Sequence, residues 1–255
     1  MQHLFTPQGE AALASLLSRR PLLAFDFDGT LAPIVASPDR ARIAPQVSAR
    51  LRALGQRLPV AIVTGRSVDD VRSRLGFEPT YIVGNHGAED PFEPVGDQAH
   101  VVALDPMRAL LRSHGAQLDA AGVVVEDKGQ SIALHYRRSR ARARARALIR
   151  DLLVAGDGGL RVFAGKMVVN IAASDAPDKA DAVHRLVQRC GASCALFAGD
   201  DVNDEPVFAS APADWVTVRV GRAGHPSSAR FHIDNPGEVA RLLGWIVARL
   251  GDRAD

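Results

Sequence analysis

Two short acidic motifs contain the side chains of this 255-residue chain that are best suited to chemistry. Asp26 and Asp28 stand two residues apart, directly before Gly29, and a second group contains Asp200 and Asp204. A hard cation such as Mg²⁺ is usually bound by one or two carboxylates together with water and a substrate phosphate. A carboxylate can also act as a nucleophile toward phosphorus and form an aspartyl-phosphate. The two motifs therefore point to metal-assisted phosphoryl transfer.

Two other loops offer groups that could hold a phosphate. Thr64 supplies a hydroxyl beside the flexible backbone of Gly65, and Lys179 supplies a cation shortly after a proline. Lysine is rare in this chain, because only three of its 31 basic residues are lysines, Lys128, Lys166 and Lys179. A compact ammonium suits a single phosphoryl oxygen better than the wide guanidinium fork does. Lys179 is therefore a candidate phosphate ligand.

The elements that must position these loops are short apolar runs with helical segments between them. Strands are predicted at residues 22–25, 60–63, 81–83, 195–198 and 215–220, and helices at 7–19, 45–58, 67–75 and 177–190. Alternation of strands and helices indicates a parallel sheet with helices on both faces. Open sheets of this kind bind ligands at the carboxyl ends of their strands, which is where the polar loops fall.

The pattern changes in the middle of the chain. Helices are predicted at residues 105–121 and 138–154, and each is followed by a β-hairpin, one turning at 127–129 and one at Gly165. The fold class is therefore an α/β core, residues 1–104 and 175–255, with an inserted α+β domain at residues 105–174. Arginine alternates with alanine between Arg138 and Arg146, which on a strand would resemble a nucleic-acid arm. Both residue types favour helix, so we interpret this stretch as a solvated helix face.

The composition excludes several classes of protein. A formal net charge of +2 gives no case for a nucleic-acid or membrane-surface protein. Two cysteines are too few for a disulfide framework. No apolar run approaches the roughly 20 residues of a membrane span, and Asp26 interrupts the first apolar run after four residues. We expect a soluble, cytoplasmic monomer that binds a small molecule, with no nucleic-acid or membrane partner.

The four polar loops together resemble the haloacid dehalogenase (HAD) superfamily of phosphotransferases. The resemblance covers the α/β part of the chain and implies a HAD-type, Rossmann-like core with an inserted cap domain. It implies that Asp26 is the nucleophile, and that Asp28 is first the general acid and then the base. By the same resemblance, Thr64 and Lys179 hold the phosphoryl oxygens. The residues implied for Mg²⁺ are Asp26, Asp28 through its backbone carbonyl, and Asp200, while Asp204 orients Lys179 or a metal-bound water.

Within that superfamily the chain is most similar to trehalose-6-phosphate phosphatases. The matching pieces are TGR at 64–66, HGAE at 86–89, EDK at 126–128, HYR at 135–137, GK at 165–166 and GDDVNDE at 199–205. The resemblance implies Mg²⁺-dependent hydrolysis of trehalose 6-phosphate through an aspartyl-phosphate. The substrate-binding residues that it implies are Gly65, Arg66, His86, Glu126, Lys128, Lys166 and Asn170. The two lysines of the inserted domain, at two hairpin turns, are expected to reach the same ligand.

The chain departs from that family at two places. Asn170 and the three residues after it stand where the family usually has Glu-Ile-Arg/Lys-Pro, and Ala180 follows Lys179 where the family has glycine. Asparagine keeps hydrogen bonding but not the stronger, charge-assisted kind. Hydrolysis of another sugar or polyol phosphate therefore stays open as an alternative.

Other interpretations of single residues also stay open. Arg66 could anchor substrate hydroxyls or bridge to a neighbouring carboxylate, and Glu126 with Lys128 could form only a surface ion pair. A receiver domain also combines acidic residues, a threonine and a lysine at strand ends. Such domains lack an inserted cap and the spacing of Asp26 and Asp28, and they are about half as long, so the phosphatase interpretation is favoured.

Overall fold

The short apolar runs of the sequence form the central strands of a parallel sheet in the computed structural model, which describes residues 1–35, 38–93, 98–156, 159–221 and 226–251. The chain divides into two compact units, residues 1–90 with 177–255 and residues 91–176. The inserted domain predicted at residues 105–174 lies inside the second unit.

Seven strands form the sheet of the first unit within the described ranges, and all neighbouring pairs are parallel. Numbered along the chain, they lie across the sheet in the order β1 (Gln2–His3), β11 (Phe231–Ile233), β10 (Val216–Val220), β9 (Ala195–Gly199), β2 (Leu22–Phe25), β3 (Val60–Val63) and β4 (Tyr81–Val83). Every residue of β2, β3 and β9 is buried, as expected for a parallel sheet covered on both faces. The predicted α/β core is confirmed.

The helices of the first unit begin and end at the signals that the sequence provides. They are α1 (Pro7–Leu17), α2 (Pro45–Gly55), α3 (Val68–Leu75), α8 (Lys179–Arg189), α9 (Glu205–Ser210) and α10 (Pro236–Gly251). The hydroxyl of Ser67 caps α3 by accepting from the amide of Asp70, and Gly76 ends this helix with a φ of +68°. A left-handed residue at this place is what glycine supplies without strain. No helix within the described ranges is long and apolar enough to cross a membrane.

The second unit packs helices against one face of an antiparallel sheet. Its helices are α4 (Gln98–Ala103), α5 (Asp105–Ser113), α6 (Gly115–Ala120) and α7 (Arg142–Ala155). Its strands lie in the order β5 (Val124–Asp127), β6 (Ser131–His135), β8 (Val168–Ala173) and β7 (Leu160–Gly165). Ile132, Leu134 and Ile171 from the sheet pack with Ile149 and Leu152 from α7, which gives this unit a core of its own.

Two helices predicted for the second unit are wrong in detail. The helix predicted at 105–121 is interrupted at His114, whose φ of −105° and ψ of 13° are not helical and whose ring contacts the carbonyl of Leu110. The helix predicted at 138–154 begins at Arg142, because the hydroxyl of Ser139 accepts from the amide of Ala141 and forms a turn there. The arginines of α7 are exposed, as the interpretation of a solvated helix face requires.

Candidate active site

The register of the parallel sheet brings the acidic loops together at the carboxyl ends of its central strands. Phe25 of β2 pairs with Ala198 of β9 on one side and with Ile62 of β3 on the other. The amide of Asp26 then donates to the carbonyl of Ala198 at 2.9 Å, so the polar residues after the two strands are neighbours. The predicted loops after β2, β3 and β9 therefore lie at one edge of the sheet.

Lys179 joins two of the acidic residues in a buried group. Its Nζ donates to Oδ1 of Asp26 at 2.7 Å and to Oδ1 of Asp204 at 2.7 Å. Lys179 is 2% exposed, Asp26 5% and Asp204 0%. Lys179 is the first residue of α8, where Asp178 caps the helix by accepting from the amides of Ala180 and Asp181. The helix start thus aims the ammonium at both carboxylates.

Asp204 is held at both of its oxygens. While its Oδ1 accepts from Lys179, its Oδ2 accepts from the backbone amides of Asp200 at 2.8 Å and Asp201 at 3.0 Å. Of the two predicted partners for Asp204, the structure places Lys179 in direct contact. Asp204 therefore fixes the loop that carries Asp200 and the position of the ammonium at the same time.

Burial and charge act on the pKa values of this group in known directions. Burial raises the pKa of Asp26; Lys179 lowers it, Asp204 and Asp200 raise it again, and the net pKa lies well above the ordinary value. Burial lowers the pKa of Lys179, but Asp204 and Asp26 raise it more, so that the net pKa lies above its ordinary value. The ammonium stays charged, and Asp26 gains ionisation from any further cation nearby.

The acidic residues at this edge fit a divalent cation. Asp26, Asp200 and Asp204 each present one carboxylate oxygen, and these oxygens lie within 4.8 Å of one another. All three residues are buried, and the ammonium of Lys179 pairs with two of them, Asp26 and Asp204. Carboxylate oxygens are the ligands that Mg²⁺ prefers. The predicted Mg²⁺ set shares Asp26 and Asp200 with this cluster, and its third member, the backbone carbonyl of Asp28, stays a prediction.

Gly29 keeps the space beside Asp200 open. A Cβ atom at this position would lie 1.9 Å from Oδ2 of Asp200, and the φ of +88° is one that other residues rarely adopt. The glycine after the first acidic motif is therefore required both by the turn and by the approach of the second acidic loop.

Arg66 binds the side chain of Asp28. Its Nε donates to Oδ2 at 2.6 Å and its Nη2 donates to Oδ1 at 2.8 Å, which is the parallel, two-bond arrangement of a guanidinium with a carboxylate. Its Nη1 donates to Oδ2 of Asp70 at 2.7 Å, and its guanidinium lies 5.3 Å from the ring centre of Phe27. Of the two interpretations left open for Arg66, the structure shows the bridge to carboxylates.

Two residues beside this edge have roles that the sequence interpretation missed. Asp70 contacts both Arg66 and Arg74, and its spacing of four residues from each is a signal in the sequence. Arg219 is a buried cation in the apolar strand β10, where it donates to Glu205 at 2.8 Å and to the carbonyl of Asp200 at 3.3 Å. An arginine inside such a strand is itself a signal.

Thr64, Gly65 and His86 lie together after β3 and β4. Thr64 is fully buried, and its hydroxyl accepts from the amide of Arg66 at 3.2 Å. A Cβ atom on Gly65 would lie 2.2 Å from the ring of His86, so only glycine fits against this imidazole. His86 is buried and has a φ of +58°, which is uncommon outside glycine and is concentrated at functional sites. Its contact with substrate stays a prediction.

Two of the predicted residues of the second unit, Glu126 and Asn170, share one face of its sheet. Cross-strand pairing places Glu126 opposite Ala133, and Ala133 opposite Asn170, so these side chains point to the same side. The residues next to them in each strand, such as Ile132, Leu134 and Ile171, pack against the helices. Glu126, Ala133 and Asn170 therefore lie on the opposite face of the sheet. Oε2 of Glu126 lies 2.8 Å from Nε2 of His135 and 3.8 Å from Nζ of Lys128. Glu126 therefore contacts the imidazole of His135 as well as the ammonium of Lys128.

Lys128 and Lys166 lie at hairpin turns, as expected, but at opposite ends of this sheet. The turn with Lys128 precedes Ser131, which pairs with Ala172, whereas the turn with Lys166 precedes Val168, which pairs with His135. Strand β6 runs between the two turns, and its rise of about 3.3 Å per residue separates them by more than about 13 Å. The two lysines can approach a shared ligand only from opposite ends.

Comparison with known proteins links this site to one family. Residues 24–232 match a family model described as trehalose-phosphatase. A trehalose-phosphate phosphatase of Mycobacterium marinum is 31% identical over 245 residues, which cover 91% of this chain and 62% of that protein. A protein of Mycobacterium tuberculosis described as an uncharacterized glycosyl hydrolase is 31% identical over 250 residues, which cover 92% of this chain and 19% of that protein. The chain thus spans less than two thirds of the length of these relatives.

Solved structures agree on the fold. The C-terminal domain of trehalose-6-phosphate phosphatase from C. albicans superposes with a TM-score of 0.75 at 23% identity and covers 94% of this chain and 96% of that domain. At this identity the likeness supports the architecture, and the residues at the edge of the sheet must support the chemistry.

Proposed function

Because the chain belongs to the trehalose-phosphatase family, we propose that it hydrolyses trehalose 6-phosphate to trehalose and inorganic phosphate in a Mg²⁺-dependent reaction. The observation that carries this proposal is the buried group in which Lys179 contacts both Asp26 and Asp204 at 2.7 Å. Phosphoryl transfer depends on positioning and on the neutralisation of charge, and this group supplies both.

Asp26 is the nucleophile of the proposed reaction. A carboxylate oxygen bonds to phosphorus while the bond between phosphorus and the sugar oxygen breaks, and Asp28 gives a proton to that oxygen. Lys179, whose ammonium already lies against Asp26, holds the phosphoryl oxygens together with Thr64. Trehalose leaves, and the chain carries an aspartyl-phosphate.

Water completes the reaction. Asp28, now a carboxylate, takes a proton from a water molecule whose oxygen bonds to phosphorus, and the bond between phosphorus and the oxygen of Asp26 breaks. Inorganic phosphate leaves, Asp26 is a carboxylate again, and Asp28 is protonated for the next cycle.

Mg²⁺ would be held by Asp26, Asp200 and the backbone carbonyl of Asp28. When bound, it supplies positive charge that offsets the carboxylates and the transferring phosphoryl group. Asp204 contributes through Lys179, because both of its oxygens are engaged by the chain itself.

Asn170 favours a second candidate, which is a phosphatase for another sugar or polyol phosphate. Its side chain lies in the middle of the sheet of the second unit, and the residue is 3% exposed. Its Nδ2 has no hydrogen-bond partner within the described residues, so this amide has a donor to offer a ligand hydroxyl. A neutral donor there selects for hydroxyls without demanding one particular sugar.

Phosphate release from a panel of substrates tests the proposal. The panel contains trehalose 6-phosphate, glucose 6-phosphate and a polyol phosphate, each with Mg²⁺ and with a chelator. We expect trehalose 6-phosphate to give the highest kcat/KM, Mg²⁺ to be required, and Asp26→Asn to be inactive. Asp69→Asn changes an exposed aspartate outside the site and is the matched control. Full activity of Asp26→Asn would contradict the mechanism, and preference for a different ester would contradict only the substrate.

The substrate-binding role of the second unit needs its own test. Lys128→Ala and Lys166→Ala are expected to lower kcat/KM for the sugar phosphate more than for p-nitrophenyl phosphate, because an aryl ester offers no sugar hydroxyls to bind. Equal losses on both substrates would mean that these lysines do not contact the sugar.

A further inference from the structure

A chain of alternating charges leads away from Asp28 into the first unit. Arg66 joins Asp28 to Asp70, and Asp70 in turn accepts from Arg74 at its other oxygen. Arg74 is 7% exposed, and its Nη1 donates to the carbonyl of Asp39 at 2.7 Å. Asp70 is thereby held at both oxygens by arginines that are themselves fixed.

All three nitrogens of the Arg66 guanidinium take part in this arrangement. Nε and Nη2 face Asp28, Nη1 faces Asp70, and the ring of the buried residue Phe27 lies beside the guanidinium plane. The Arg66 side chain is 12% exposed, whereas the side chain of Asp28 is 42% exposed. Asp28, the carboxylate that the reaction uses, is therefore the more exposed partner of this pair. It is held by Arg66, and Arg66 is in turn held by Asp70.

We propose that Asp70 is a positioning residue, which acts through Arg66 to set the position of the Asp28 carboxylate. This inference rests on the proposed function, in which Asp28 transfers protons. None of the hydrogen bonds of Asp70 given above reaches a reacting group, so its proposed effect on the reaction passes through Arg66. Displacement of a reacting group by about 1 Å can cost on the order of 10²-fold in rate, so an indirect support of this kind has a measurable effect.

Asp70 also has an ordinary structural role that the test must separate. It lies in the first turn of α3, where its backbone amide donates to Ser67 and its charge favours the helix start. Asp69 lies in the same turn, is exposed and shares the favourable charge, but it has no contact with Arg66 among the described interactions. Asp69→Asn therefore reproduces the effect on the helix without the effect on Arg66.

The test compares Asp70→Asn, Asp70→Glu and Asp69→Asn on two substrates. In asparagine an NH2 donor replaces one of the two carboxylate oxygens, so either Arg66 or Arg74 faces a donor in place of its acceptor, whereas glutamate keeps two acceptor oxygens. A sugar oxygen must be protonated as it leaves, whereas nitrophenolate leaves as a stable anion. The value of kcat/KM reports only the steps up to release of the alcohol and does not include hydrolysis of the aspartyl-phosphate. The ratio of kcat/KM on the sugar phosphate to kcat/KM on p-nitrophenyl phosphate therefore measures how much the proton from Asp28 contributes to the first step.

We expect Asp70→Asn to lower this ratio by about tenfold, a fraction of the roughly 10²–10⁴ that acid–base catalysis contributes. Asp70→Glu should recover most of the ratio, and Asp69→Asn should leave it unchanged. Loss of activity in equal proportion on both substrates, or no loss in Asp70→Asn, would overturn the proposal. Thermal melting of each variant shows whether it is folded.

Crystal structures of the wild type and Asp70→Asn separate this inference from the proposed function. Positioning predicts that the bonds from Arg66 to Asp28, 2.6 and 2.8 Å here, are broken or rearranged in the variant. An unchanged pair would overturn the role of Asp70 even if the wild type proved to be a phosphatase. A wild type without phosphatase activity would refute the proposed function, while the two structures would still decide whether Asp70 holds Arg66.

Discussion

Replacement of Lys179 by methionine probes the buried charges most severely. Methionine has nearly the same length and fills the same space, so the change removes the ammonium and little else. Asp26 and Asp204 then lose the cation that both contact at 2.7 Å. The exposed lysine Lys166 provides the matched control for the stability measurement, since Lys166→Met is the same substitution at the surface.

The magnitude follows from the burial of the group. Removing one partner of a buried ion pair costs about 3–5 kcal/mol, because the remaining charge is left without compensation. Lys179 is 2% exposed and serves two buried carboxylates, so the upper part of this range applies. For a domain of about 150–250 residues, each kcal/mol lowers Tm by about 2–4 °C, so a cost of about 4–5 kcal/mol gives a loss of about 8–20 °C. Lys166→Met should cost less than about 1 kcal/mol.

Urea unfolding with and without Mg²⁺ measures this effect. Because Mg²⁺ brings positive charge to the same carboxylates, the difference between wild type and Lys179→Met should be smaller with Mg²⁺ than with a chelator. The variant should also lose about 10²–10³ in kcat, as expected when a group that stabilises transition-state charge is removed. A loss of stability below about 1 kcal/mol, or equal to that of Lys166→Met, would refute the reasoning from burial.

Three other predictions concern the same unit. Mg²⁺ should raise the Tm of the wild type but not that of Asp200→Asn in calorimetry, and an equal rise in both would remove Asp200 from the metal site. Gly29→Ala should also abolish the rise in Tm, because the added Cβ would lie 1.9 Å from Oδ2 of Asp200. Gly191→Ala is the control and should keep the rise, because Gly191 also has a positive φ, +67°, but has open space beside it. Burial raises the pKa of Asp70, but hydrogen bonds from Arg74 and Arg66 lower it more, and the net pKa lies below the ordinary 3.8. The stability that Asp70 adds is therefore complete above pH 3.8 and is lost as the pH falls through the folded-state pKa. If the wild type kept a higher free energy of unfolding than Asp70→Asn below that pKa, the result would contradict this prediction.

The edge of the sheet could be predicted because local patterns determine it. Apolar runs of four or five residues, each ending in a polar loop, identify buried parallel strands, and the carboxyl ends of such strands meet. Asp26, Thr64 and Asp200 follow three neighbouring strands for this reason. The start of α8 was likewise predicted from the sequence, whereas the place of Lys179 beside these loops was implied by the family resemblance.

The partners of the arginines could not be predicted in the same way. Arg66 is 38 residues from Asp28 along the chain, and the spacing of charges does not say which carboxylate a guanidinium will meet once the loops have folded. The paired short strands β1 and β11 were missed for a related reason. Two or three residues carry no periodic pattern, and these strands exist because each supplies hydrogen bonds to the other.

The direct test of the central claim is detection of a phosphoryl group on Asp26. Asp28→Asn lacks the base that the second step needs, and p-nitrophenyl phosphate needs no acid in the first step, so the intermediate should accumulate with this variant and substrate. Acid quenching and peptide mass spectrometry should then find one phosphoryl group on Asp26. The double variant Asp26→Asn, Asp28→Asn should carry none. A burst of nitrophenolate with no phosphoryl group on the chain, or with the group on a different residue, would contradict the account.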